Sequence, residues 1–361
     1  MINIKENLMK KLTIFLLFST VLFCDGFSGV SYFEYHTGDV DEIYETHGFK
    51  LSRVYLTYKK AVSDQLSFKF QVDVGKLDEI SVYDPVSGEY EASSSNDDRW
   101  TVFLKKAQLD WKLKKDMKLS MGMIGLNMLN VQEKTWGHRF VEKSALDLAK
   151  WSATADLGIG ISKQFTEDFS ASLLLTNGEG YKESDNDNYE KISLQLLYGE
   201  GRLDKNDGYN FGVVYSTLDQ DENSDPTITE ENTDTVFGAF GGWAGNGLRI
   251  GFEYHTSDHD NFDSASSYTG SLSSVYLTYA INDNLSVIAR TDDRNPNDDS
   301  SVVTDDASTE IFGLIWTPVK GLSICPNITK TVKWDDWDNN VATSETDDSI
   351  SDVALNFQFK F

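Results

Sequence analysis

The sequence predicts an all-β fold, a 16-stranded antiparallel transmembrane β-barrel with an inward-folded third long loop. Three observations carry that reading. Apolar and polar residues alternate in one short segment after another, the period of a strand with two different faces. The connections between segments are by turns tight and long, which sorts them onto two opposite rims. Beyond the first residues, no stretch is apolar over the roughly 20 residues that a spanning helix needs.

The chain starts with Lys5, Lys10 and Lys11, then the apolar run from Leu12 to Phe23, then Gly26, Ser28 and Gly29. A basic start, a short apolar stretch and a small-residue exit describe a secretory signal peptide. Residues 1–28 are read as that leader, cut between Cys24 and Ser28, and 29–361 as the barrel. Lipidation at Cys24 is the weaker reading, because Phe23 is too bulky for the position before a lipidated cysteine.

Strands are expected at 29–37, 48–61, 66–75, 100–113, 117–125, 151–165, 169–177 and 189–198. They continue at 209–217, 234–244, 248–256, 271–281, 285–293, 308–318, 322–333 and 350–361. In 66–74, Leu66, Phe68, Phe70, Val72 and Val74 share the outward face. Around Phe103–Lys106 the alternation slips by one, the sign of a bulge, and 234–244 fits either register. Tight turns at Ser63-Asp64-Gln65, Gly245-Asn246-Gly247 and Lys320-Gly321 alternate with connections as long as 76–98 and 126–150. Aromatic residues such as Trp111, Tyr198, Trp243, Tyr254, Tyr279 and Trp316 fall near strand ends on the outward face, as girdles at a membrane boundary would.

In the last strand Val353, Leu355, Phe357, Phe359 and Phe361 fall on one face, and Asp352, Asn356, Gln358 and Lys360 on the other. It resembles the closing strand of bacterial outer-membrane barrels, whose terminal Phe is recognised for insertion. Two sequences occur twice: Phe33-Glu-Tyr-His-Thr37 returns at 252–256, and Leu51-Ser-Arg-Val-Tyr-Leu-Thr-Tyr58 returns closely at 272–279. The echo places Glu34, His36, Glu253 and His255 on the inner face, where a solvated lining is the favoured role over metal binding.

The net charge is −26, and the long connections carry all of it. Segment 126–150 departs from that rule. It holds Lys134, Arg139, Lys143 and Lys150 against Glu133, Glu142 and Asp147, with His138 besides, and it is the most apolar of the long connections. A long connection with its own apolar content packs rather than waving in water. Folded inward, it would narrow the lumen and aim its bases at the passage, where basic side chains favour anions. Inward strand positions add Arg53, Lys69, Lys106, Arg249 and Arg290 to these pore-lining candidates. Each has a structural alternative as half of an ion pair in the wall.

After cleavage only Cys325 remains of 2 cysteines, and the 5 histidines show no metal-ligating spacing. Neither a cofactor nor a metal is expected, and the acidic balance speaks against nucleic acid as a partner.

Phe49-Lys-Leu-Ser-Arg-Val-Tyr-Leu-Thr-Tyr58 followed by Leu66-Ser-Phe-Lys-Phe-Gln-Val-Asp73 resembles the amino-terminal hairpin of the phosphate-selective porin O/P family. Trp136-Gly-His-Arg-Phe-Val-Glu-Lys-Ser144 with Ala155-Asp-Leu-Gly158 is similar to that family's constriction loop and next strand, and Leu314–Leu322 to a late strand and turn. The resemblance implies a trimeric outer-membrane channel narrowed by its third long loop. Phosphate-selective members carry an arginine ladder; here the loop supplies Arg139 alone, with lysines.

The function expected is passive diffusion of small hydrophilic solutes and ions across the bacterial outer membrane, with anions or phosphate preferred, and no enzymatic activity. The partners expected are membrane lipids and lipopolysaccharide, the permeating solutes, two further copies of the chain, and the barrel-assembly machinery through the strand ending at Phe361. The alternatives are a phospholipase-like barrel enzyme, which needs a Ser–His pair, and an adhesin or structural barrel.

Overall fold

The computed structural model describes residues 26–36, 48–75, 81–83, 90–92, 100–183, 189–220, 232–261, 267–297, 306–334 and 347–361. Most of the expected leader, residues 1–25, lies outside them. The first strands are β1 (Phe27–His36), β2 (Gly48–Ala61), β3 (Leu66–Gly75), β4 (Ser81–Tyr83), β5 (Tyr90–Ala92), β6 (Thr101–Lys114), β7 (Met117–Gly125), β8 (Ala155–Gln164) and β9 (Phe169–Thr176). They continue as β10 (Lys191–Gly199), β11 (Gly208–Gln220), β12 (Asn232–Gly245), β13 (Leu248–Asp260), β14 (Tyr268–Asn282), β15 (Leu285–Asn295), β16 (Asp306–Val319), β17 (Leu322–Trp334) and β18 (Asp347–Lys360). Short helices α1 (Gln132–Trp136) and α2 (Ala145–Leu148) lie between β7 and β8.

All strands except β4 and β5 form one closed antiparallel barrel in which each pairs with its neighbour in sequence, and β18 returns to β1. β4 and β5 pair only with each other, inside the second long connection. At the seam the Gly29 amide donates to the Phe361 carbonyl and the Phe361 amide to the Gly29 carbonyl, both at 3.1 Å. The Phe361 ring occupies the place of a Gly29 side chain, since a Cβ there would come within 2.2 Å of it. Phe27 and Ser28 already pair with Tyr58 and Thr57, so the strand begins two residues before the 1–28 boundary read from sequence.

Tight turns join one rim. At Asn246-Gly247 both residues have positive φ, 53° and 79°, the mirror-image hairpin turn that Asn-Gly favours because its twist matches the strands. The bulge falls where the alternation slips: Gln71 pairs with Lys106 and Val72 with Leu104, leaving Lys105 unopposed. Lys105 and Lys106 therefore both serve the inner face. The open register of β12 resolves with Val236 and Phe240 buried and Phe237 and Trp243 exposed.

The wall is two-sided. Leu157, Ile159, Leu173, Leu175, Phe211, Phe252, Leu277 and Phe312 are exposed on the outside, with Trp111, Tyr198, Trp243, Tyr254, Tyr279 and Trp316 exposed beside them. In water so continuous an apolar belt would be prohibitive; in a bilayer it is the solvent-matched surface. No helix among the described residues is long and apolar enough to cross a membrane.

The apolar core sits in the lumen. Met128, Leu129, Val131, Ala145 and Leu146 of segment 126–150 pack on the inward side chains Val214, Val236, Phe240 and Leu272. Trp136 and Phe140 pack on Tyr276, Ile288, Ile315 and Cys325. Segment 126–150 thus lies against the inner face of β11 to β17.

Candidate functional site

Polar anchors complete what the apolar contacts begin. The Asn127 side chain donates to the Ser172 carbonyl (3.1 Å), the Tyr276 hydroxyl to the Gln132 carbonyl (3.3 Å) and the Asn356 side chain to the Phe140 carbonyl (3.1 Å). Arg290 grips Asp292 with two donors, at 2.8 and 2.5 Å. It also donates to the Lys143 carbonyl, and its guanidinium lies 5.2 Å from the Trp136 ring centroid. A bidentate pair fixes direction as well as distance, so Arg290 holds the segment to the wall.

Arg249 acts in the same way. It donates to the Trp136 carbonyl at 3.0 Å and to His138 Nε2 at 3.0 Å, beside the Thr278 hydroxyl. His138 is packed edge-on against Trp136 and Phe140. Burial and the adjacent Arg249 charge hold its pKa well below the ordinary histidine value, so it is the neutral ring that accepts from Arg249. Arg290, Arg249 and His138, read from sequence as lining candidates, are thus directed at the loop and wall. Period-2 alternation gives a side chain's face, not whether something covers that face.

The lumen stays open along β1 to β7 and, toward the long-connection rim, also beside β10 to β14. A cavity of ≈ 460 Å³ toward the short-turn rim is lined by Lys69, Lys105, Lys106, Lys118, Lys134 and Arg139, with Glu133 as its carboxylate. A second space of ≈ 640 Å³ toward the long-connection rim is lined by Arg53, Arg139, Lys143, Asp147, Lys150, Tyr181, Lys182, Lys191 and Asp234 among others. Arg139 belongs to both, and also to a smaller space beside Tyr32, Glu34, His36 and Phe140. The constellation therefore meets at one guanidinium.

Arg139 is not a bare cation. It pairs with Glu133 at 2.7 Å and with Asp147; burial opposes its charge, but the surrounding Tyr55, Glu133 and Asp147 outweigh that and hold its pKa above the ordinary arginine value. Arg53 pairs with Asp73 at 2.5 Å. Lys69, Lys106, Lys134 and Lys143 have no carboxylate partner within ion-pair distance among the described residues. The Lys106 ammonium sits over Gly125, where a Cβ would come within 2.3 Å of it. Burial, reinforced by nearby Arg202, lowers the pKa of Lys134.

Lys105 and Tyr181 were not singled out by the sequence. Lys105 lies between two rings, 5.0 Å from the Tyr55 centroid and 4.5 Å from that of Tyr181, and 3.8 Å from Asp73. The bulge could have exposed it, because an extra residue turns an outward position inward. Tyr181 comes from the fourth long connection, and no alternation marks it.

Two expectations for the inner face need correction. Glu253 and His255 are fully enclosed and joined at 2.9 Å, not solvated, because segment 126–150 and the wall cover them. Glu34 and His36 keep partial exposure, with His36 between Glu34 (3.1 Å) and Asp352. The described histidines engage carboxylates, Thr278 and Arg249; none is hydrogen-bonded to a serine. No group of three or more metal-ligating side chains occurs among the described residues.

A closed sixteen-stranded barrel with an apolar belt and an occupied, polar lumen defines a bacterial outer-membrane barrel. No protein-family model and no curated protein sequence matches the chain. Among solved structures, the chain is similar in fold to the anion-selective porin of Comamonas acidovorans, with a TM-score of 0.63 and 10% identity over 93% of this chain and 98% of that one. It is also similar to OmpT of Vibrio cholerae, with a TM-score of 0.62 and 13% identity over 93% and 97% of the two chains. The outer membrane channel DcaP of Acinetobacter baumannii follows at 0.58 and 13% over 93% and 96%.

Proposed function

We propose that the protein is a passive diffusion channel for small hydrophilic solutes and ions, preferring anions. The observation that carries this reading is the meeting of the two lumen spaces at Arg139, with lysines 69, 106 and 134, which have no carboxylate partner within ion-pair distance among the described residues, on its short-turn side. Apolar packing of 126–150 on one wall sets the size limit. Fixed positive charge on the other lowers the energy of an anion where the passage is narrow and water is scarce.

Phosphate is the anion the resemblance to the O/P porins adds. A compact oxyanion would meet several lysine ammonium donors at once in the short-turn-side cavity. A homotrimer is the assembly that resemblance implies; one of the similar structures, OmpT of Vibrio cholerae folded in vitro, is a trimer form. Among the described residues no serine–histidine hydrogen bond supports the enzyme alternative, and an adhesin with a blocked lumen would pass no current.

Reversal potentials in planar bilayers under a KCl gradient test the reading. Anion preference is expected, and it should fall in the K69A/K106A/K134A variant. Absence of conductance would remove the channel, and cation preference in the unmodified protein would remove the charge argument.

A further inference from the structure

Asp73 is the partner of Arg53 on the β1 to β7 side of the lumen, yet its side chain has 0% exposure. What covers it comes from across the rim. Residues 177–183 of the fourth long connection turn inward through Gly178 and Gly180, both at positive φ, and the Gly178 amide is tied to Asp156 at 2.7 Å. This places the Tyr181 hydroxyl 2.6 Å from Asp73 Oδ2, to which it donates. The same hydroxyl oxygen accepts from Arg53 at 3.1 Å and lies 3.4 Å from the Lys105 ammonium. Burial and the Asp73 charge push the Tyr181 phenol above its ordinary pKa, which keeps the donated proton in place.

We propose that Tyr181 is a charge mask that sets selectivity: it covers Asp73 so that the passage presents Arg53 and Arg139 without exposing the carboxylate that holds Arg53 and Lys105 in place. The proposal rests on the channel reading and adds to it a residue outside segment 126–150. The arrangement resolves a conflict in the wall. Arg53 and Lys105 need a counter-charge to be held side by side, since two cations this close repel. A carboxylate open to the lumen would cancel their effect on a passing anion. A phenol satisfies both demands. It adds a neutral donor to the carboxylate, lays its ring over Lys105 at 4.5 Å, and puts aromatic surface between Asp73 and the larger lumen space, which Tyr181 itself lines.

The test compares the unmodified channel, Y181A, Y181F and Y181A/D73N in asymmetric KCl. Y181A uncovers Asp73, so the anion-to-cation permeability ratio should fall about two-fold, the effect of one unit charge acting through water at about 8 Å, while single-channel conductance rises. Y181F keeps the ring but loses the hydrogen bond, and its ratio should fall by less. In Y181A/D73N no carboxylate remains to be uncovered, so the ratio should return to the unmodified value or exceed it. A current-free unmodified protein would instead overturn the channel reading. With conductance present, an unchanged or increased ratio in Y181A overturns the mask, as does a ratio in Y181A/D73N as low as that of Y181A. Should Y181A not fold, Y181F decides alone: a ratio equal to that of the unmodified protein overturns the proposal.

Discussion

Replacing Arg139 by Ala is expected to change selectivity more than removing any other base in the lumen. Its side chain is only 12% exposed, pairs with Glu133 and Asp147, and borders the spaces on both sides of segment 126–150. The substitution therefore deletes one positive charge and leaves two carboxylates without their counter-ion at the point where the spaces meet. An ion passing about 5 Å from a unit charge in water feels about 0.8 kcal/mol, or about a four-fold change in relative permeability. Water in a narrow passage screens less than bulk, so four-fold is the lower end. Breaking a largely buried pair also costs roughly 3–5 kcal/mol of stability, so folding is checked first by the gel shift of unheated barrel. The assay is the zero-current potential across a KCl gradient, for R139A and for R139A/E133Q/D147N. R139A should move toward cations, and the triple variant should recover most of the shift. An unmoved potential in folded R139A would show that Arg139 lies off the ion path, and a move toward anions would invert the electrostatic argument.

Leu146 is completely buried between segment 126–150 and the wall, so L146A should lower stability by about 2–5 kcal/mol and increase open-channel current noise as the segment loosens; chemical unfolding and single-channel recording read the two effects. R290M strips Asp292 of its bidentate partner and should cost about 3–5 kcal/mol, part of which R290M/D292L should restore in the same unfolding measurement. His138 takes up a proton more readily in the unfolded chain than beside Arg249, so the unfolded state binds more protons and stability rises with pH. Its contribution should be complete above about pH 6.5 and decline as pH falls below that value; denaturant midpoints at pH 7.5 and 5.0 should differ more in the unmodified protein than in H138Q.

The strands were legible because the solvent on each face is different and uniform. Lipid outside and water or polar contacts inside impose strict alternation, and β3, β8 and β18 follow it. β12 escaped because apolar residues occur on both its faces: Phe237 is exposed on the outside while Phe240 belongs to the buried cluster that includes Met128 and Leu129. That same intrusion explains the site residues that ended elsewhere. Arg290, Arg249 and His255 point inward as alternation requires, but they lie where segment 126–150 covers the wall. The slip near Phe103 showed the bulge without showing that Lys105 would be braced by two tyrosines. Partners such as Asp73 and Tyr181, separated by 108 residues, follow from the chain's path in space, which no local pattern records.

The seam at Gly29 and Phe361 has a kinetic consequence. Every other pairing in the wall joins neighbours in sequence, so each can form as a hairpin with a small loop-closure cost. The β1–β18 row joins residues such as Val30 and Lys360, by far the largest sequence separation of any strand pairing in the wall. Until that row forms, the sheet has two open edges whose amides and carbonyls find no partner in hydrocarbon. The expected late event is thus a single zippering between the ends, and substitutions at Gly29 that crowd the Phe361 ring should slow assembly more than they weaken the finished wall.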